Sequence, residues 1–294
     1  MKKKHWKILG WIVVGALLVV YLLLPVGVGI FATFRYPETV DDAPSGFEEI
    51  TMTTSDDIEL KAWYAPAQNG SAVLILHGAT SSREGVRNHA LLLASRGYGV
   101  LAVDLRGHGE SGGDGVNGFG WKSELDIEAS LSFLTRQDPH LHLHAIGLSM
   151  GAEALLSAAS RFPQIESIVS EGATHRSIQD YLALSSRENL FVSFTTRVMY
   201  LSASLWGQTN APKPMLTSIQ EATDTRFYFI SAKSIQDEID YNEVYYTSAQ
   251  DRSRWWIVPE GGHTEALKTL PEEYEAKVIG FLEEKTETSL SIGN

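Results

Sequence analysis

The sequence predicts an α/β fold, a mostly parallel central sheet flanked by helices, and three observations carry that reading. Short apolar runs at 72–76, 100–103 and 141–146, the first two continuous, have the look of buried strands, as in parallel sheets. Helical stretches at 87–96 and 123–135 separate them, so strand and helix alternate. The third run passes at once through Gly147-Leu148-Ser149-Met150-Gly151 into an Ala/Leu-rich helix.

Composition narrows the function. A chain of 294 residues with 44% apolar side chains can build a sizeable core. It has no cysteine, which excludes disulfides, thiolate metal sites and a cysteine nucleophile. The net charge of −12 is unevenly spread. The first 35 residues carry Lys2, Lys3, Lys4, Lys7 and Arg35 and no acid, leaving 19 basic residues against 36 acidic ones beyond them. So acidic a remainder lacks the clustered positive charge that phosphate contacts need, and no nucleic-acid partner is expected.

Taken in order, the chain begins with a lysine-rich stub. No formal charge then appears from Ile8 to Phe34. As a helix, residues 8–31 extend roughly 36 Å at about 1.5 Å per residue, enough to cross a hydrocarbon core of about 30 Å. Pro25 and the glycines at 27 and 29 are placed to kink or end it near the far interface. The run exceeds the apolar core of a signal peptide and has no convincing A-x-A cleavage site. Lysines before it favour a cytoplasmic N-terminus. Residues 1–35 therefore read as a cytoplasmic stub and a single-pass transmembrane signal anchor, placing the rest outside the cytoplasm at the cell membrane. Residues 36–47 read as a linker, 48–284 as the main domain, and 285–294 as a polar tail.

Within the main domain, 48–54 and 58–64 read as strands joined by the turn Ser55-Asp56-Asp57. The strand 72–76 ends at His77-Gly78-Ala79-Thr80. Gly97 stops the helix 87–96, and the strand 100–103 ends at Asp104-Leu-Arg-Gly-His-Gly-Glu-Ser111. Further strands follow at 165–170, 227–230 and 255–258, and an amphipathic helix at 271–284 closes the domain.

At the Gly147–Gly151 turn a strand must become a helix within a few residues. The central serine is thereby forced toward a strained conformation, while small neighbours let the backbone pass close to itself. Its hydroxyl is pushed out beside a helix N-terminus, where backbone N–H groups and the helix dipole favour a developing oxyanion. This is the nucleophile-elbow pattern G-x-S-x-G. His77-Gly78, Asp104–Ser111, Gly147-x-Ser149-x-Gly151 and Gly261-Gly262-His263 occur in the order and spacing of the α/β-hydrolase fold superfamily. Over roughly residues 48–284 the chain resembles its esterase, lipase and serine-aminopeptidase-like branches.

That resemblance implies a Ser…acid…His order. His263, in a Gly-Gly-His-Thr loop after the strand 255–258, is the expected general base. The resemblance puts the acid just after the strand 227–230, where this chain runs longer than the usual pattern and lacks its proline. Asp237 fits best; Glu238 is the alternative, with Asp240 and Glu171 behind them. Backbone N–H groups of Ala79 and Met150 are the expected oxyanion donors. His77, His108 and Asp104 read as structural, and His140, His142 and His144 as packed or rim residues of one strand rather than a metal site.

More than fifty residues, 172–226, separate two adjacent strands, far more than an ordinary connection. Helical, aromatic-rich segments there suggest a lid, with Phe191, Phe194, Met199, Tyr200 and Trp206 lining a pocket for an apolar group. The expected function is a membrane-anchored serine hydrolase that cleaves a carboxylic ester, small or lipid-like, through a Ser149 acyl-enzyme. It needs no cofactor or metal. Peptide or amide cleavage, acyl transfer to another acceptor, and a non-catalytic binding module remain the alternatives.

Overall fold

Alternation of side chains along the buried strands builds the molecule. The computed structural model describes residues 2–113, 119–184 and 190–284; the tail at 285–294 lies outside them. At the N-terminus, α1 (Lys2–Leu18) and α2 (Leu24–Phe31) are joined by a π-helical turn, Val19–Leu23. Pro25 and the glycines at 27 and 29, expected to kink or end the helix, do not end it: it continues to Phe31. Proline supplies no N–H and crowds the preceding turn; the wider π turn just before it accommodates that misfit. One helix among the described residues, Lys4–Phe31, is long and apolar enough to cross a membrane.

Beyond it, β1 (Tyr36–Pro37) leads to the hairpin β2 (Glu48–Thr53) and β3 (Glu59–Ala65). Asp57, at φ 63°, closes that turn. Next come β4 (Ser71–Leu76), α3 (Arg87–Ser95), β5 (Gly99–Val103), β6 (His108–Gly109) and α4 (Ser123–Gln137). The elbow unit is β7 (His142–Leu148) followed directly by α5 (Met150–Ala158), and β8 (Ile165–Glu171) succeeds it. The long insertion holds α6 (Ile178–Tyr181), α7 (Leu190–Gly207) and α8 (Met215–Glu221). Then β9 (Arg226–Ala232), α9 (Gln236–Ala249), β10 (Ser253–Val258), α10 (Ala266–Thr269) and α11 (Pro271–Glu283) follow, the last elements among the described residues.

Eight strands form one sheet in the order β10-β9-β8-β7-β4-β5-β3-β2. Only β3 runs against its neighbours; the other pairs are parallel. Successive residues of a strand point to opposite faces, so β4 sends Leu74 and Leu76 into one core with Leu131, Leu155 and Tyr245. Val73 and Ile75 enter the other, with Leu93 and Phe281. The continuous apolar runs are thus explained: both faces are covered by helices. A small parallel pair, β1 with β6, ties the segment after the N-terminal helix to the 104–111 loop, and Tyr36 stacks on His108 at 5.5 Å.

The sheet sets Ser149 in the turn between β7 and α5, at φ 50° and ψ −116°. Such backbone costs on the order of 1–3 kcal/mol and persists only where its surroundings hold it. Here the Ser149 N–H donates to the Glu171 carbonyl at 2.8 Å. Gly151 passes so near β4 that a Cβ there would lie 2.5 Å from the Leu76 carbonyl oxygen. Gly151→Ala is therefore expected to destabilise the fold by about 2 kcal/mol or more, read as a lowered denaturant midpoint. An unchanged midpoint would show that the elbow can relax.

Candidate active site

Three side chains from distant parts of the sequence meet at the C-terminal edge of the sheet. The Ser149 hydroxyl lies 2.8 Å from His263 Nε2, and His263 Nδ1 donates to Glu238 Oε1 at 2.6 Å. Ser149 is half-buried, the His263 side chain is 46% exposed and that of Glu238 only 1%. The relay therefore opens toward solvent at the serine and is closed at the acid. His263 fits because residue 172 is glycine: a Cβ there would come within 2.9 Å of His263 Cε1.

The carboxylate against His263 belongs to Glu238, the alternative, and not to Asp237. The physical reason is α9, a helix without a counterpart among the elements expected from sequence. Adjacent residues on a helix point about 100° apart. Glu238 shares the buried face with Tyr241, Asn242 and Tyr245, whereas Asp237 is exposed in the first turn. Glu238 is also held from behind, its Oε2 accepting the Ala232 N–H at 2.8 Å. The signal was present as a 3, 4, 7 spacing of 238, 241, 242 and 245.

Electrostatics follow from this packing. The hydrogen bond to Glu238 raises the His263 pKa against the opposing effect of burial. Glu171, at the end of β8, accepts the Ala266 N–H at 2.9 Å, and burial pushes its carboxyl up to about 7. It braces the loop that carries His263 rather than pairing with the ring. Glu153, on α5, is likewise pushed by burial up to about 7 and accepts from the Thr174 N–H and hydroxyl, both at 3.0 Å.

Three residues read as structural do hold the framework. Asp104 pairs with the Arg83 guanidinium and accepts the N–H groups of Arg83 and Glu110 at 2.6 and 2.9 Å. His77 Nε2 accepts the Leu105 N–H at 3.0 Å while Nδ1 faces the Gly78 carbonyl at 2.7 Å, fixing the neutral tautomer; burial lowers its pKa to about 4. His108 Nδ1 faces the Arg106 carbonyl. Of the alternating histidines, His144 is buried against Ser167, His142 faces Glu166 at the rim, and His140 is exposed.

Met150 follows the serine directly, and Ala79 lies in the loop after β4. Met150 opens α5, where first-turn N–H groups have no partner within the helix. Ala79 is exposed and follows Gly78, whose Cβ position lies 3.3 Å from Ser149 Cβ.

The five lid positions fall in different surroundings. Phe191 and Met199 line a groove of about 530 Å³ against Val20, Tyr21 and Leu24 of the N-terminal helix, and Ser149 is not among its lining residues. Phe194 is exposed. Trp206 lines a separate cavity with Arg35 and Lys122. Tyr200 alone turns inward, its hydroxyl 2.6 Å from His175 Nδ1. The reason is the apolar N-terminal helix, which supplies the nearest surface for these side chains to cover.

An arrangement of this kind titrates with its base. Proton removal from Ser149 requires neutral His263, so kcat/KM for an ester is expected to fall as pH drops through a value above the ordinary imidazole pKa of about 6.5. Glu238→Gln should move that limb to lower pH, since the carboxylate that favours the charged ring is gone. A limb that stays in place would separate Glu238 from the titrating group.

The chain is similar to known proteins in both sequence and fold. The family described as Serine aminopeptidase, S33 matches residues 67–226, more than half of its length. A curated relative, the uncharacterized protein YqkD of Bacillus subtilis (strain 168), is 29% identical over 134 residues, covering 43% of this chain and 44% of the relative. The chain thus spans under half the length of that relative in the match. Among solved structures, the Pyrococcus furiosus esterase Pf2001 superposes with a TM-score of 0.65 at 22% identity, over 85% of this chain and 97% of that one. A dienelactone hydrolase from Anabaena variabilis gives 0.56 at 17% identity, over 80% and 98%. At such identities the superpositions establish the shared fold, and the family match does the rest: the chain belongs to the serine aminopeptidase S33 family of α/β hydrolases.

Proposed function

We propose that this protein is a membrane-anchored serine hydrolase that cleaves a carboxylic ester through an acyl-enzyme on Ser149. The observation that carries the reading is the unbroken relay from the Ser149 hydroxyl through His263 to Glu238. A serine hydroxyl is a weak nucleophile until a base takes its proton. As Ser149 Oγ bonds to the ester carbonyl carbon, His263 Nε2 accepts the hydroxyl proton, and Glu238 stabilises the imidazolium and holds its tautomer. The carbonyl oxygen becomes an oxyanion, bound by the N–H groups of Met150 and Ala79. Collapse of that intermediate expels the alcohol, which receives the proton from His263. Water then repeats the sequence in reverse, releasing the acid and restoring Ser149.

Esterase-like neighbours of the fold support ester chemistry, and the family description keeps amide cleavage in view. The same intermediate serves both bonds, so a substrate panel decides. Hydrolysis of short p-nitrophenyl esters, lost in Ser149→Ala, is the expected result. Turnover of aminoacyl p-nitroanilides without ester turnover would make the protein a peptidase.

The apolar helix Lys4–Phe31, with lysines ahead of it, supports an uncleaved anchor that leaves the hydrolase domain outside the cytoplasm. In this reading α6 and α7 cap the site, tethered through Tyr200 to His175 and stacked on Trp121 at 6.0 Å.

A further inference from the structure

One surface of the molecule breaks the rule that an exposed helix turns charge toward water. On α7, Leu190, Phe194, Leu201 and Leu205 are 82, 50, 60 and 71% exposed. At about 100° per residue they fall on one side of the helix, and Arg197 is the only charge in its 18 residues. An exposed apolar strip of this kind, interrupted by one charge at Arg197, marks a binding surface.

What covers it is indicated by what lies alongside. α7 runs parallel to the N-terminal helix along its length. Phe191 meets Tyr21 at 5.5 Å between ring centroids, and the Ser202 hydroxyl lies 3.3 Å from the Val26 carbonyl. Gly29 packs so tightly on α7 that any Cβ there would collide with Ser202 and the Met199 carbonyl. Small residues at a close helix crossing are the usual device for packing helices within lipid. At the upper end of the pair, Trp206 and Gln208 share a cavity of about 510 Å³ with Thr33, Arg35 and Lys122. Both charged residues lining it are cations, placed where the apolar run of the N-terminal helix ends. That is the chemistry of a headgroup layer, with Trp at the interface and Lys and Arg among phosphates.

We propose that α7 is a second membrane-contacting element: packed beside the later half of the N-terminal helix, its Leu190, Phe194, Leu201 and Leu205 face lies among the acyl chains of the leaflet from which the N-terminal helix emerges. The inference rests on the anchor reading and deepens it. Arg197 on the same face sets the depth, because a guanidinium is stable near phosphates and costly at the bilayer centre. On the other side of α7 Tyr200 contacts His175, in the loop that follows Gly172 beside His263. Lipid and catalytic layer are then separated by one helix.

Absence of cysteine makes the test direct. Leu201→Cys, Leu205→Cys, Ile12→Cys and Glu243→Cys are labelled singly with an NBD fluorophore in the full chain. Each is reconstituted in phosphatidylcholine–phosphatidylglycerol vesicles with or without doxyl-labelled lipid. Labels at 12, 201 and 205 are expected to emit to the blue and be quenched about twofold or more, and the label at 243 to be unaffected. Quenching at 12 with 201 and 205 behaving like 243 would overturn the proposal while leaving the anchor intact. Blue-shifted emission at 201 and 205 without quenching would also overturn it, assigning the face to a second copy of the chain. No quenching at 12 would remove the anchor reading and the inference with it.

Discussion

Glu238→Gln is expected to lower kcat for ester hydrolysis by about 10³–10⁴-fold, the scale seen when the acid of such a relay loses its charge. Asp237→Asn, one residue away, is expected to leave kcat within about twofold. The contrast follows from geometry. Glu238 Oε1 receives the His263 Nδ1 proton at 2.6 Å and Oε2 receives the Ala232 N–H at 2.8 Å, so both oxygens are committed. Glutamine keeps one acceptor and turns an NH2 group toward the other partner, which favours the wrong imidazole tautomer and no longer offsets the positive ring. Steady-state kinetics on a p-nitrophenyl ester, with thermal unfolding as the control for folding, reads the difference. Equal losses in the two variants would remove Glu238 from the relay.

Ser149→Ala is expected to cost more, about 10⁶-fold in kcat, leaving the residual rate that oxyanion donors and binding alone provide. Stability should change by less than about 1 kcal/mol, because the side chain is half-buried and alanine keeps the backbone N–H that bonds to Glu171. Activity that survives in a folded Ser149→Ala protein would place the nucleophile elsewhere.

The elbow was legible in sequence for a physical reason. A strand that turns into a helix at a serine needs glycines where the backbone nearly touches itself, and Gly151 against β4 meets that need. The parallel sheet was legible because β4 and β5, covered on both faces, carry apolar residues at successive positions. The acid was not, since the choice between Asp237 and Glu238 depends on where α9 begins and which face it buries. Only the run of Glu238, Tyr241, Asn242 and Tyr245 carries that information. Nor did local composition tell which surface the aromatics of α7 would cover. Phe191 and Met199 serve a site and a helix–helix contact equally well, and the N-terminal helix that receives them lies about 170 residues away in the chain.

In the proposed mechanism Ser149 Oγ is a nucleophile activated by His263 and Glu238. That role is tested most directly by treating the folded full-length protein with a fluorophosphonate and mapping the adduct by peptide mass. Labelling at Ser149, absent in Ser149→Ala and strongly slowed in Glu238→Gln, is the predicted result. A folded protein that takes up no label, or takes it up at another residue, would contradict the account.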